Sequence, residues 1–156
     1  MKHHALVGIW LVLLPLAFST QRCEPTRRPS RYLIPDGYVG WVNIYFEVQD
    51  KPPLPVEERH YLFNIPSTGE LQTSSRLVGG IANDDYYYVD QHGNRHKLES
   101  TGWGDGGMIW AETTGNDDRG NVYERFFVGT EKQLKDYGFK MDKREGRIIE
   151  QASPRL

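Results

Sequence analysis

The sequence predicts a mainly β domain, an antiparallel β-sandwich closed by one short C-terminal α-helix. Three observations predict it. Apolar residues recur with a period of two in several short runs. Turn-forming residues are dense, with 16 glycines and 9 prolines in 156 residues, which leaves little room for long helices. One segment alone carries a helix-capping signature, and no alternation of strands with helices suggests a parallel sheet.

The first nineteen residues read as a secretory signal peptide. Lys2, His3 and His4 make a polar, basic start, and an apolar run follows from Ala5 to Phe18, broken only by Gly8 and Pro15. Ala17 and Ser19 place small residues three before and one before a cut after Ser19. The alternative is an uncleaved anchor, but crossing a bilayer takes about 20 apolar residues. Removing residues 1–19, which carry one lysine and no acid, leaves 137 residues and moves the formal charge from −2 to −3. That length supports one domain with its own core. The charge argues against a nucleic-acid-binding module, which shows a clustered basic face.

Residues 20–31 combine Arg22, Arg27, Arg28 and Arg31 with Pro25, Pro29 and Ser30, the composition of a flexible tether. Cys23 is the single cysteine, so no internal disulfide is available and stability must come from packing. Lipid attachment at Cys23 is the alternative to release. It normally follows a small residue, whereas Arg22 precedes this cysteine.

The domain itself is predicted over residues 32–139. In Trp41–Val48, Val42, Ile44, Phe46 and Val48 share one face, and Trp41, Asn43, Tyr45 and Glu47 the other. Three prolines between Asp50 and Pro55 end that strand. Tyr61, Phe63 and Ile65 alternate into a second strand, followed by the turn Pro66-Ser67-Thr68-Gly69. Asp85–Val89 and Arg95–Leu98 form a pair around Asp90-Gln91-His92-Gly93-Asn94. Met108–Thr113 and Val122–Val128 form another, joined by a polar loop over 115–121. Thr130 with Gln133 has the spacing of a capping box; Leu134 and Tyr137 supply one apolar face and Gly138 a stop. Residues 140–156 read as a charged, loosely held tail, with Ile148 and Ile149 the hint of a last strand.

Candidate chemistry is sparse. His92 and His96 flank the predicted hairpin turn beside Asp90, a set of imidazole and carboxylate groups of the kind that binds metal; two solvated histidines near a turn are the structural alternative. The loop Asn116–Asn121 is oxygen-rich but lacks the closing glutamate of a calcium loop and contains Arg119. Gly102-Trp103-Gly104-Asp105-Gly106-Gly107 lacks the lysine and the following helix of a phosphate loop. No Gly-x-Ser-x-Gly elbow occurs, and Thr73-Ser74-Ser75 has the character of hydroxyls that serve backbone groups. Aromatic residues are the remaining signal. Trp41, Tyr45, Tyr86 and Tyr88, with Trp103 and Asp105 in the glycine-rich loop, are candidate ligand-binding residues. Burial of the strand rings by a second sheet or the helix, and of Trp103 beside Trp110, is the alternative.

Two segments resemble a family of small exported bacterial proteins known as a domain of unknown function. They are Tyr32-Leu33-Ile34-Pro35-Asp36-Gly37-Tyr38-Val39-Gly40-Trp41-Val42, and Tyr61–Pro66 with Gly69, Leu71 and Thr73-Ser74-Ser75. Phe126-Phe127-Val128-Gly129-Thr130-Glu131 fits the same family. The first half is also similar to transthyretin-like, carboxypeptidase-regulatory or immunoglobulin-like sandwiches, which implies an accessory binding or spacer role. The resemblance implies a bacterial envelope location and supplies no catalytic residues. Together these readings lead to an exported envelope protein, periplasmic, cell-surface or extracellular. Its role is that of a noncatalytic module without a cofactor, contacting an envelope protein, peptide or glycan and no nucleic acid. The alternative is a hydrolase or metal-dependent enzyme at the His92/His96 hairpin. Membrane contact is expected only through the signal segment or a lipidated Cys23.

Overall fold

The computed structural model describes residues 26–100, 107–142 and 147–151, with side chains up to residue 138. In chain order the elements are β1 (Ser30–Pro35), β2 (Gly40–Tyr45), β3 (Val56–Glu57), β4 (His60–Asn64), β5 (Glu70–Gln72), β6 (Asp85–Val89), β7 (Arg95–Leu98), β8 (Ile109–Asn116), β9 (Val122–Val128), α1 (Glu131–Asp136), β10 (Phe139–Asp142) and β11 (Arg147–Gln151). The predicted signal segment, Cys23, Trp103 and Asp105 lie outside the described residues. No helix among the described residues is long and apolar enough to cross a membrane.

Two mixed sheets make the sandwich. One has the order β3-β4-β1-β6-β7 and the other β5-β2-β9-β8, with β10 and β11 forming a separate antiparallel pair. The mainly β character and the short helix agree with the sequence, but strand direction does not. Pairs β1–β4, β1–β6 and β2–β5 are parallel, which corrects the antiparallel expectation. Parallel neighbours need a long crossover, usually a helix. In this chain the crossover is a strand of the opposite sheet: β2 lies between β1 and β4, and β5 between β4 and β6. A pattern with no helices therefore still yields parallel pairs.

The core follows the strand period. Tyr32 and Ile34 of β1, Val42 and Ile44 of β2, Phe63 of β4, Tyr86 of β6 and Phe126 and Val128 of β9 pack in one apolar cluster between the sheets. Phe46 and Ile65 join it just beyond their strands. Glu47, with φ of 56°, ends the extension of β2 before Val48. A second, smaller cluster lies on the far face of the four-stranded sheet, where Trp110 and Phe127 meet Leu134 of α1. Thr130 caps that helix as expected: its hydroxyl accepts from the Gln133 N–H, and the Gln133 side chain accepts from the Thr130 N–H. Two turns of helix are marginal alone; the wholly buried Leu134 docks them.

Two further expectations are corrected. Residues 26–31 are not a free tether. Ser30 is buried in the central strand β1, Arg27 is ion-paired with Asp84, and Arg31 donates to Glu57 at 2.7 Å. Arg27, Arg28 and Arg31, which resemble a solvated linker in composition, each meet a carboxylate or a ring supplied from elsewhere in the chain, with Arg28 lying 5.0 Å over the Tyr61 ring. The tail is also more regular than its charge suggests, because β10 and β11 pair in register from Phe139–Gln151 to Asp142–Arg147 with one irregularity.

Candidate functional site

Parallel, in-register pairing sets three rings side by side. Tyr32 of β1 is opposite Phe63 of β4 and Tyr86 of β6. Their centroids are 4.7 and 4.6 Å from the Tyr32 ring and their planes lie 21° and 6° from parallel with it, a favourable stacked geometry. Phe126 meets Tyr32 and Tyr86 edge-on at 5.3 and 5.4 Å. The ladder is buried, but two of its members carry hydroxyls that need partners. Two glutamates of the opposite sheet supply them. Tyr32 donates to Glu124 Oε1 at 2.5 Å, and Tyr86 donates to Glu112 Oε2 at 3.1 Å.

Both glutamates reach this side for identifiable reasons. Glu124 of β9 shares the phase of Val122, Phe126 and Val128, the face turned to the core. Glu112 owes its direction to a bulge in β8. Trp110 pairs with Phe127 and Thr113 with Arg125, so Ala111 and Glu112 together oppose Phe126. Ala111 takes φ of 56°, a left-handed conformation that non-glycine residues rarely adopt. Unbroken alternation from the buried Ile109 would turn Glu112 away from the core. The extra residue turns it inward, beside Thr114 and Glu124.

These side chains border a cavity of about 330 Å³ between the sheets. Phe46, Leu54, Tyr61 and Phe63 form its apolar wall, Glu124 and Ser30 lie deep, and Glu112 and Thr114 stand at the mouth. The segment 76–80 and Arg27–Arg28 make the rim. Arg27 holds this rim in place: its guanidinium grips both oxygens of Asp84, with 3.0 Å to Oδ1, and its Nε donates to the Gly80 carbonyl at 3.0 Å. Asp84 Oδ1 also accepts the Ser30 N–H at 2.7 Å.

Burial raises the Glu124 carboxyl to about 7, opposed by the Tyr32 hydrogen bond and reinforced by the nearby Glu112 and Asp84 charges. Glu112 is raised in the same sense by desolvation, although its side chain is open to solvent through the mouth. Burial and the adjoining carboxylates push the Tyr32 and Tyr86 hydroxyls well up. The result is a pair of acids with tyrosine hydroxyl partners and, among the described residues, no ion pair of their own. Arg27 attenuates their charge at a distance, but its own hydrogen bonds go to Asp84 and neighbouring oxygens.

The residues expected to bind ligand are placed differently. Tyr86 is a core residue. Tyr88 is half-buried, donating to the Tyr38 carbonyl at 2.6 Å. Trp41 is half-buried against Phe127 at 5.6 Å, with the Arg125 guanidinium 3.9 Å over its ring. Tyr45 is half-buried on that same outer face. The structure therefore does not gather these rings into one exposed platform, because two belong to the inner face of one sheet and two to the outer face of the other.

His92, His96 and Asp90 do not converge either. Asp90 Oδ1 accepts the N–H groups of His92 and Asn94, each at 2.8 Å, and Oδ2 accepts the Asn94 amide. Its carboxylate, lowered by these bonds from Asn94 and His92, closes the hairpin. Both histidines are exposed. Among the described residues no group of three histidine, cysteine or acidic side chains is arranged to hold a metal. Asp117-Asp118-Arg119-Gly120-Asn121 repeats the same turn: Asp117 caps the N–H groups of Arg119 and Asn121, and Gly120, like Gly93, has φ of 83°. Thr73 and Ser75 serve the backbone, as their composition suggests, with Thr73 donating to the Pro52 carbonyl and Ser75 accepting from the Leu54 N–H, both at 2.9 Å.

No curated protein matches the chain. A crystal structure of a candidate lipoprotein from Bacillus anthracis is similar in fold, with a TM-score of 0.58 and 22% identity over 81% of this chain and 83% of that one. At that identity the likeness carries the fold alone. The model of a family of unknown function, DUF6843, matches residues 26–137. That span takes in both sheets, the cavity and α1, and the chain belongs to this family.

Proposed function

We propose that the protein is an exported, noncatalytic binding module of the bacterial envelope, and that the cavity between its sheets receives a small ligand. The observation that carries this reading is the cavity with Glu124 in its depth: a carboxyl on the apolar phase of a core strand, 5% exposed, bonded through one oxygen to Tyr32. Burying an acid without a cation is costly, and a binding site is a common reason for keeping one. The basic-then-apolar start of the chain and the fold shared with a candidate lipoprotein support an envelope location. The metal-dependent reading at the His92/His96 hairpin has less support, since the Asp90 carboxylate is engaged in closing its own turn.

Thr114→Trp tests the cavity. Thr114 is exposed at the mouth, so a large ring there blocks entry without disturbing the core. Small polar molecules that raise the wild-type melting temperature should lose that effect in the variant, while the unliganded melting temperature stays unchanged. Ligands that bind both forms equally place the site elsewhere, and chemical conversion of a bound molecule defeats the noncatalytic reading. Intact-mass measurement on protein from its native envelope checks export. Loss of residues 1–19 is expected, whereas a diacylglycerol adduct on Cys23 replaces release with anchoring.

A further inference from the structure

The geometry points to a ligand bearing a cationic nitrogen, an amine seated between Glu112 and Glu124 with its carbon skeleton against Phe46, Tyr61 and Phe63. This rests on the binding reading above and narrows it to one chemical class. Four observations support it. Two carboxyls open on one cavity, and their protein partners are tyrosine hydroxyls rather than lysine or arginine. The arginines at the rim are mostly engaged. Arg27 is paired with Asp84, and Arg76 is 3.3 Å from Glu47. Arg28 alone has no carboxylate partner among the described residues, and it is exposed over Tyr61 rather than deep in the cavity. Finally, the wall beside the acids is aromatic, and ring faces attract cations in a desolvated site.

An ammonium entering here would make two charge-assisted hydrogen bonds that the free protein lacks. It would also require the acids to be ionised. Glu124 faces Tyr32 on β1, Tyr86 on β6 and Glu112 on β8, with Asp84 and Arg27 at the rim. Of these neighbours Arg27 alone is positive, and Asp84 balances it. Amine binding should therefore displace a proton at neutral pH. With a carboxyl at about 7, affinity at pH 6 should be about tenfold weaker than at pH 8.

The test uses three matched probes, 2-phenylethylamine, 2-phenylethanol and phenylacetate, titrated into isotope-labelled protein by NMR. The expected result is that the amine binds most tightly and moves the amides of residues 112–114 and 124–126. Its affinity should fall with pH as stated, and should drop at least about tenfold in Glu124→Gln, which keeps the shape and removes the charge. Preference for phenylacetate or the alcohol at the same amides overturns the amine while leaving the cavity as a binding site. Failure of all three to move those amides at millimolar concentration overturns both. An amine that binds Glu124→Gln as well as the wild type overturns the role of the acid pair.

Discussion

The two faces of the four-stranded sheet solve one problem in opposite ways. On the outer face Arg125 is drawn down among aromatic rings, where burial lowers its pKa, and its charge rests on the Trp41 face. Trp110 donates to the Gly129 carbonyl at 2.7 Å, and α1 covers Phe127 through Leu134. That face is closed with the chain's own residues. On the inner face Glu124 is out of place among apolar neighbours and Glu112 stands near it at the mouth, yet a cavity remains in front of them. A charge that a protein needs only for folding can be covered from within. On the proposed reading, one left facing an open volume is kept for a ligand.

The largest expected effect lies on the closed face. Phe127→Ala removes a ring buried between Trp41, Trp110 and α1 and should cost about 3–5 kcal/mol in chemical denaturation. A loss below about 1 kcal/mol would mean that the helix does not close this face. The next effect belongs to the open face. The Glu124 carboxyl stands at about 7 against a usual 4.5, so between those values the folded chain holds a proton that the unfolded chain has released. Stability therefore falls as pH rises through that window, by up to about 3 kcal/mol, and levels off above it. Denaturation midpoints at pH 5 and pH 8 should show this fall, and Glu124→Gln should flatten it. Glu57 acts outside the window: hydrogen bonds from Arg95 and Arg31 hold it down at about 2, so its contribution disappears only as acid is added below the usual carboxylate range.

Two smaller changes sharpen the contrast. Thr130→Ala removes the cap of α1 and should cost about 1 kcal/mol, read as a lower melting temperature with cavity binding unaltered. Ala111→Gly relaxes the left-handed residue of the bulge. The relief, about 1–2 kcal/mol, is offset by about 0.4–1 kcal/mol of added freedom in the unfolded chain. A gain of up to about 1.5 kcal/mol is expected, and a clear loss of stability would show that the methyl group's packing outweighs its strain.

Much of this fold is legible in local pattern. Strands β6, β7 and β9 and the capped helix follow from alternation, turn residues and the Thr130–Gln133 spacing. Local pattern fails where partners are remote. Strand direction depends on which sheet the chain enters next, and nothing in a five-residue run encodes that. Residues 26–31 look like the end of a linker because their arginines and prolines are polar or disruptive by themselves, whereas Asp84 and Glu57, which pair with Arg27 and Arg31, are far along the chain. The acid pair was half visible. Glu124 sits in phase with Val122, Phe126 and Val128, and a carboxylate on the apolar phase is a readable anomaly. Glu112 was not, since only the bulge at Ala111 turns it inward. The aromatic residues are contact candidates by a property, large area, that serves cores as well as contacts.

The Arg27–Asp84 clasp has a mechanical meaning. Whatever precedes Thr26 joins the domain at this point, and the strand that follows is the central one of its sheet, hydrogen-bonded to β4 on one side and β6 on the other. Tension applied through the amino-terminal segment thus loads the Thr26–Ile81 hydrogen bonds and the Arg27–Asp84 ion pair first, and the two rows of strand bonds next. Arg27 also holds Gly80, at the rim of the cavity. In a molecule pulled from that end, the first part to feel the force is the doorway of the cavity.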